Sequence, residues 1–214
     1  MTDSASNPII ALAAAAAGLG LVWFFAPRAL LFLSAGTVRV DPEEPADVVT
    51  VPGALEATWA ALQALGFTLL GSHSEKPRLG RAALFYDALQ AEAGVYASLS
   101  VSPRGAAHLT LFTPGPGGGA VTASFRRPAR EVPGRYLAGA IDGATPERLY
   151  KVHLRRLADL RERSPLAPTL EGRVQAGRTW YAEQGASELR ASNTIALLWT
   201  CGGLALTVAA LLKV

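Results

Sequence analysis

Two long apolar runs, one near each end of the chain, dominate its hydrophobic pattern. Residues 8–26 (PIIALAAAAAGLGLVWFFA) and residues 194–212 (TIALLWTCGGLALTVAALL) each contain nineteen residues without a charge. At 1.5 Å per residue, a helix of that length spans about 28 Å, close to the hydrocarbon thickness of a bilayer. The pattern therefore predicts a transmembrane helix at each end, with a polar domain between them.

The first run ends at aromatic residues that suit a membrane interface. Residues 23–25 are Trp-Phe-Phe, and Pro27-Arg28 follows them. Tryptophan is enriched at the membrane–water boundary, and proline can kink a helix. Residues 29–35 are again apolar, so we predict a first transmembrane segment at 8–35, preceded by a short tail at 1–7.

Two alternatives exist for this end of the chain. A cleaved signal peptide is one, but residues 1–7 contain no Lys or Arg, and no clear A-x-A cleavage site follows the apolar run. A buried helix of a soluble domain is the other, because residues 13–17 are alanines and only weakly hydrophobic. An uncleaved membrane anchor accounts best for the pattern.

The second transmembrane helix is predicted at 194–214, and glycines occur in both apolar runs. Small residues allow membrane helices to approach closely. These glycines either form a packing face between the two helices or are merely tolerated in an apolar run. The four positions concerned are Gly18, Gly20, Gly202 and Gly203.

The charges that flank the two runs predict the orientation. Lys and Arg are enriched in cytoplasmic segments. Lys213 is the only basic residue in the outer tails, whereas four arginines flank the runs on the domain side: Arg28, Arg39, Arg178 and Arg190. We therefore expect a two-pass protein of the inner membrane with a cytoplasmic central domain. The Ala, Arg and Leu bias is typical of a GC-rich bacterial genome.

Between the runs, a short linker and then a single domain are predicted. Residues 36–47 include the acidic, proline-rich sequence DPEEPA, which indicates an extended linker. The domain is predicted at 48–165. Its first helix lies at 52–65, where apolar residues recur at helical spacing and Gly66 follows as a C-terminal cap.

A series of short segments then alternates apolar and polar residues. In residues 95–102, Val, Ala, Leu and Val alternate with Tyr and three serines. Alternation with one polar face predicts an antiparallel meander, here of about five strands. The predicted strands are residues 67–70, 82–89, 94–102, 107–113 and 120–125.

A second helix and a helical connector complete the domain. Thr145-Pro146 is typical of a helix start, and leucines form an apolar stripe through residues 146–163. Residues 166–193 are predicted as a helical connector that leads into the second apolar run. The fold class is α+β, with flanking helices over one face of the meander and a transmembrane helix at each end.

Composition adds few functional constraints. The 214 residues carry a formal net charge of +3 with a pI near 9.3, too small an excess to predict a nucleic-acid partner. The single cysteine, Cys201, lies in the second apolar run. An intramolecular disulfide and a multi-cysteine zinc site are therefore excluded.

The candidate motifs for chemistry are weak. The glycine-rich residues 113–120 (TPGPGGGA) lie between two predicted strands and lack the Lys-Ser/Thr of a phosphate loop, so we predict a hairpin connection. His73-Ser74-Glu75 reads H-x-E, but the cysteines of a zinc deaminase are missing. Asp87, Glu92 and Asp142 have no spacing that indicates a carboxylate pair. No catalytic, cofactor-binding or metal-binding residue is predicted.

Clustered arginines and lysine are the remaining signal. Such a surface can face anionic lipid headgroups or a protein partner, at about 1 kcal/mol per basic residue for lipid, or it can be an ordinary solvated face. The candidate residues are Arg126, Arg127, Arg130, Arg148, Lys151 and Arg155.

These features predict a membrane-anchored, non-catalytic binding or interaction module. One alternative is a membrane-bound enzyme with a dispersed site, drawn from His108, His153, Arg126 and Asp142. Another is a small subunit of a larger membrane complex, in which the glycine-containing helices are the interaction faces. No cofactor is expected in any of the three.

Overall fold

Both apolar runs form long helices in the computed structural model, which describes residues 8–212. Helix α1 (Pro8–Ser34) and a late helix at Ala186–Leu211, α5 below, are long and apolar enough to cross a membrane. The chain divides into two units. One unit contains residues 8–37, 78–80 and 187–212, and the other contains residues 38–77 and 81–186.

Within the helical unit, the two apolar helices pack through small residues. A Cβ atom at Gly18 would lie 2.6 Å from the carbonyl oxygen of Gly203, so only glycine permits this approach. Phe25 stacks on Trp199 with ring centroids 6.2 Å apart. A Cβ atom at Gly20 or Gly202 would meet no atom within 4 Å, so these two glycines take no part in the contact.

The other unit is built on an eight-stranded, mostly antiparallel sheet. Its spatial order is β1-β2-β3-β4-β5-β6-β8-β7, and only the β6–β8 pair is parallel. The strands are β1 (Arg39–Pro45), β2 (Thr68–Lys76), β3 (Ala83–Gln90), β4 (Val95–Val101), β5 (Ala107–Thr113), β6 (Gly119–Ala123), β7 (Arg130–Val132) and β8 (Tyr136–Ala140).

The five predicted strands correspond to β2–β6, and three strands escaped prediction. The predicted linker at 36–47 contains β1, in which Val40 is the only buried side chain. Such a strand has no hydrophobic alternation to reveal it. Its prolines, Pro42 and Pro45, suit a sheet edge, where no partner strand requires their missing N–H groups. β7 is the opposite edge and has only three residues.

Helices cover both faces of this sheet, not one as predicted. Helices α2 (Glu56–Ala64) and α3 (Pro146–Leu157) pack on one face, around Leu62, Leu111 and Leu149. Helix α4 (Leu170–Trp180) packs on the other face, against β1 and β2. The predicted connector therefore supplies a structural layer of the domain.

The ends of these helices follow from local contacts. Thr145 caps α3 by accepting a hydrogen bond from the backbone N–H of Arg148, 3.4 Å away. α3 ends at Leu157 rather than at the predicted Arg163. The next three N–H groups bond to carbonyls three residues back, and the N–H of Arg161 then donates to the carbonyl of Gly134. After α4, a π-helical turn (Tyr181–Gly185) precedes α5 (Ala186–Leu211).

Candidate functional site

A row of polar side chains crosses the sheet on the face that α4 covers. Asp87 of β3 lies opposite Ser98 of β4, and His73 of β2 lies opposite Phe85. Alternate residues of a strand share a face, so Glu75 projects from β2 on the same side as His73. His73 and Asp87 are 0% exposed and Ser98 is 4% exposed. Buried groups of this kind need partners.

His73 lies between two carboxylates. Its Nδ1 is hydrogen-bonded to Oδ2 of Asp87, and its Nε2 is 3.4 Å from Oε1 of Glu75. A neutral imidazole carries one N–H, whereas both ring nitrogens donate in the imidazolium. Because an ionised carboxylate is acceptor-only, the positively charged form of His73 alone satisfies both contacts.

Arg173 brings a second cation from α4 to the same carboxylate. Its Nε lies 3.3 Å from Oδ1 of Asp87, and its Nη2 donates to Oγ of Ser98 at 3.0 Å. Ser98 in turn donates to Oδ1 of Asp87 at 2.6 Å. The guanidinium also lies over the rings of Phe112 and Tyr96, 5.5 and 6.0 Å from the centroids. Helix and sheet are thus joined through one carboxylate.

Tyr181 closes the arrangement from the π-helical turn by donating to Oε2 of Glu75 at 2.5 Å. Two cations and two carboxylates balance, so the cluster is neutral when His73 is protonated. We call it the charged network; its members are His73, Glu75, Asp87, Ser98, Arg173 and Tyr181.

The electrostatics agree with this protonation state. Burial opposes the charge of His73, but its hydrogen bonds to Asp87 and Glu75 and the negative charge of Asp87 outweigh that effect, so its pKa is raised above 6.5. Burial likewise opposes ionisation of Glu75, but the hydrogen bond and charge of His73, with the Tyr181 hydroxyl, lower its pKa below 4.5. Both groups are charged between those limits.

The charged network lacks the geometry of nucleophilic catalysis. In a serine triad the imidazole accepts the proton of the serine hydroxyl. Here Ser98 donates to Asp87, and His73 is already protonated. Among residues 8–212, no group of three or more His, Cys, Asp or Glu side chains is arranged to hold a metal ion. The network joins segments of the fold and has no evident reactive group.

A groove of about 230 Å³ lies beside this network, between α4 and two loops. The rings of Tyr96 and Phe112 lie at its base, and Gln175, Thr179 and Glu183 are exposed at its rim. Residues 114–118 and 164–167 contribute the other wall. The hydroxyl of Tyr96 donates to the carbonyl of Ala167 at 2.7 Å and so fixes that wall to the base.

The glycine-rich loop shapes the groove and does not cradle phosphate. Gly117, Gly118 and Gly119 all have positive φ, at 89°, 123° and 76°. The N–H groups of Gly118 and Gly119 donate to the carbonyls of Gly115 and Arg135, so they are not directed at a ligand. The loop joins β5 to β6, and Gln184 holds it by donating to the carbonyl of Gly117 at 2.9 Å.

The end of α4 and the π-helical turn that follows it contact both the groove and the charged network. Trp180, the last residue of α4, lines the groove and donates its indole N–H to the hydroxyl of Tyr136 at 3.2 Å. The next residue, Tyr181, belongs to the network. A Cβ atom at Gly185 would lie 2.5 Å from the Trp180 ring, so glycine leaves room for that ring. π-helical turns often occur at functional sites.

A second buried histidine, His153 of α3, lies on the opposite face of the sheet. Its Nε2 is 3.1 Å from Oγ1 of Thr113, and its Nδ1 is 3.0 Å from Oγ1 of Thr122. Thr113 donates to the carbonyl of Gly94, and Thr122 accepts from Arg156. Thr113 therefore accepts from Nε2–H. Burial and the charge of Arg156 lower the pKa of His153 to about 3, so the ring is neutral and its Nδ1 accepts from Thr122. We call this the threonine network.

The six basic candidates lie in three parts of the domain: the segment after β6, strand β7 and helix α3. Arg148, Lys151 and Arg155 lie on an exposed stripe of α3, three and four residues apart. Arg127 instead lies over the Trp180 ring, 5.2 Å from its centroid. Of the other two candidates, Arg126 is exposed and Arg130 lies in the edge strand β7.

The residues of the dispersed enzyme site are also apart in their contacts. His108 stacks on Phe125, His153 belongs to the threonine network, and Arg126 and Asp142 are exposed. No hydrogen bond or ion pair joins any two of these four residues in the described part of the chain.

Sequence reasoning missed the charged network, although one signal was present. His73 and Glu75 are two residues apart in a strand, which places both side chains on one face. The alternation in residues 95–102 predicts one polar face of the meander, and nothing in it indicates that this face is buried. Arg173 and Tyr181 lay in the predicted connector, so nothing linked them to these strands.

Comparison with protein-family models, with curated proteins and with solved structures finds no match to this chain. Function must therefore be inferred from the residues themselves.

Proposed function

We propose that this protein is a membrane-anchored, non-catalytic binding module whose groove receives one apolar side chain of a partner protein. The size of the groove is the observation that supports this function. Small-molecule sites usually measure about 300–1,000 Å³, whereas this groove measures about 230 Å³. A single side chain of a partner suits that space, and a buried aromatic or aliphatic anchor is typical of protein interfaces.

The charges around the groove specify the partner further. Arg173 lies against the rings of Tyr96 and Phe112, and Arg127 lies over Trp180, so the aromatic faces already have cations. A second cation inside the groove would be repelled. Glu183 is exposed at the rim. We therefore expect an apolar anchor side chain with a Lys or Arg beside it, close to Glu183.

The same proposal places the chain in the inner membrane with the binding module in the cytoplasm. Two long apolar helices and the arginines that flank them support this arrangement. Single cysteines at Ser102 and Ser4, in a Cys201→Ala background, test it in intact cells with a membrane-impermeant thiol reagent. Labelling at position 4 alone agrees with the proposal, whereas labelling at position 102 alone reverses the orientation. Labelling at neither site before lysis and at both after it contradicts two spans.

Photo-crosslinking tests the groove. A p-benzoylphenylalanine placed at Thr179, at the rim of the groove, is compared with the same residue at Ala182, which is exposed on the π-helical turn. Mass spectrometry then identifies the crosslinked residue. We expect crosslinks at position 179 to a segment with an apolar residue next to Lys or Arg, weakened by Glu183→Lys. Equal crosslinking at both positions, or crosslinks to acidic segments, would contradict the proposal.

A further inference from the structure

Helix α4 is attached to the sheet by both apolar and ionic contacts. Leu170 and Val174 are its buried apolar side chains, and Ala176 and Trp180 pack partly buried on the sheet. Arg173 is its buried cation, and it joins the helix to the Asp87 carboxylate. The position of α4 on the sheet therefore depends in part on this buried ionic contact.

His73 contacts both carboxylates of the charged network. Nδ1 of His73 is bonded to Asp87, and its Nε2 faces Glu75, which accepts the hydroxyl of Tyr181. The imidazolium thus lies between the two carboxylates that receive Arg173 and Tyr181. Both tethers of this helical segment end on the same protonated ring.

We propose that the His73 imidazolium is a proton-dependent lock that holds α4, and with it one wall of the groove, against the sheet. It rests on the proposed function only for its consequence, which is that partner binding weakens when the lock opens. The lock itself is a property of the free protein.

Loss of one proton breaks a defined contact. Neutral His73 keeps the N–H that donates to Asp87, and its Nε2 then presents a lone pair to the Glu75 carboxylate 3.4 Å away. The charged network changes from neutral to a net charge of −1 in a buried site, where an unbalanced charge is costly. Separation of Glu75 from His73 also displaces Tyr181, and the π-helical turn loosens.

Each element packed around His73 presents its own polar or charged groups. β3 contributes Asp87, β2 contributes Glu75, and α4 contributes Arg173. The π-helical turn contributes Tyr181. β4 contributes the neutral Ser98, and β1 places Pro42 opposite His73, with its carboxylates Asp41, Glu43 and Glu44 exposed to solvent. Arg173 is the one further cation of the cluster, and Asp87 offsets it.

The direction of the pH dependence follows from the shift of His73. A raised pKa in the folded state means that the lock is complete below about pH 6.5 and is lost as the pH rises through the higher folded value. Between pH 6.5 and that value, the ratio of closed to open α4 falls by up to about tenfold for each pH unit, because opening releases one proton. Mildly alkaline conditions should therefore open the groove.

Hydrogen exchange on the full chain in lipid nanodiscs tests the lock without any partner. The backbone amides of residues 170–185 are followed from pH 5.5 to 9 and corrected for intrinsic exchange. We expect their protection to fall several-fold or more across this range, while α3 keeps its protection. Constant protection of residues 170–185 would overturn the lock.

Two variants separate the lock from general unfolding. In Glu75→Gln the amide can donate to Nε2 of neutral His73, so the fold is retained and the pH dependence of α4 should largely disappear. His108→Gln removes a histidine that stacks on Phe125 outside the network, so the wild-type dependence should persist. An unchanged dependence in Glu75→Gln, or its loss in His108→Gln, would refute the assignment to His73.

Nitrogen-15 spectra of the histidine ring give a second readout. At pH 6 we expect the shifts of His73 to show an imidazolium, and a neutral ring would contradict the lock. This test and the exchange test need no partner protein. Failure of the crosslinking experiment would therefore contradict the proposed function and leave the lock in place. Protection of α4 that does not change with pH would contradict the lock and leave the proposed function in place.

Discussion

His73 and His153 are both completely buried, one on each face of the same sheet, yet His73 is positively charged and His153 is neutral. His73 faces two carboxylates, and its pKa is raised. His153 faces two threonine hydroxyls, and its pKa is lowered to about 3, first by burial and then by the nearby Arg156. Burial opposes the charged form at both sites. The partners decide which form survives.

The two faces also differ in what their hydrogen bonds contribute. On the α3 face, the threonine network lies within a large apolar core and satisfies neutral groups. On the α4 face, the apolar contacts are fewer, and ionic contacts join the helix to the sheet. A packed face of the first kind is expected to be rigid at all physiological pH values, whereas the second kind responds to protons.

Asp87→Asn is expected to have the largest effect on this comparison. It removes the carboxylate that both His73 and Arg173 require, and an uncompensated buried charge costs about 3–5 kcal/mol. Denaturant unfolding of the full chain in detergent micelles measures the loss. Asp142→Asn, at an exposed position, is the matched control and should change little. A loss below about 1 kcal/mol for Asp87→Asn would mean that the ionic contacts do not hold α4.

Thr122→Val tests the other face with a smaller expected loss. It leaves Nδ1 of His153 and one guanidinium nitrogen of Arg156 without their partner, which should cost about 1–3 kcal/mol. Thr110→Val is the control, because Thr110 makes no side-chain hydrogen bond in the described structure. If both variants lose the same stability, the threonine network is not the cause.

The pH dependence of the free energy of unfolding should have two limbs. Below pH 6.5 His153 binds a proton in the unfolded state but not in the folded state. Stability therefore falls by about 1.4 kcal/mol for each pH unit as the pH decreases to about 3. Above pH 6.5 stability falls as the pH rises, because the pKa of His73 is higher in the folded state than in the unfolded state. Thermal unfolding from pH 5 to 9 measures both limbs. His153→Gln should flatten only the acid limb, and a change in the alkaline limb would contradict the separation of the two sites.

Lys151→Glu is expected to have the smallest effect. Lys151 is exposed on the polar stripe of α3 and belongs to neither network, so its reversal should change stability by about 0.5 kcal/mol or less. Denaturant unfolding under the conditions used for Asp87→Asn provides the comparison. An effect above about 1 kcal/mol would show that α3 depends on surface charge as well as on its apolar core.

The sequence predicted the elements in which apolar residues form a long run or alternate regularly with polar ones. The two apolar runs lie in helices, and the strands β3–β6 begin and end within two residues of their predicted bounds, whereas β2 continues six residues past the predicted 67–70. β1 was missed because it buries only Val40, and β7 because it has three residues. The length of α3 was overestimated, since the chain turns after Leu157 and the N–H of Arg161 then bonds to a distant carbonyl, that of Gly134. Local patterns do not report such long-range contacts.

Uncharged runs of nineteen residues and strict alternation in strands are local properties, so the sequence by itself determined two apolar helices and a largely antiparallel sheet. The charged network was decided only by tertiary structure. Arg173 lies 75 residues from Ser98, and Tyr181 lies 106 residues from Glu75. Only the packing of α4 on the sheet brings them together and excludes water, and the hydrogen bonds of His73 to Asp87 and Glu75 keep the ring charged although burial opposes that charge.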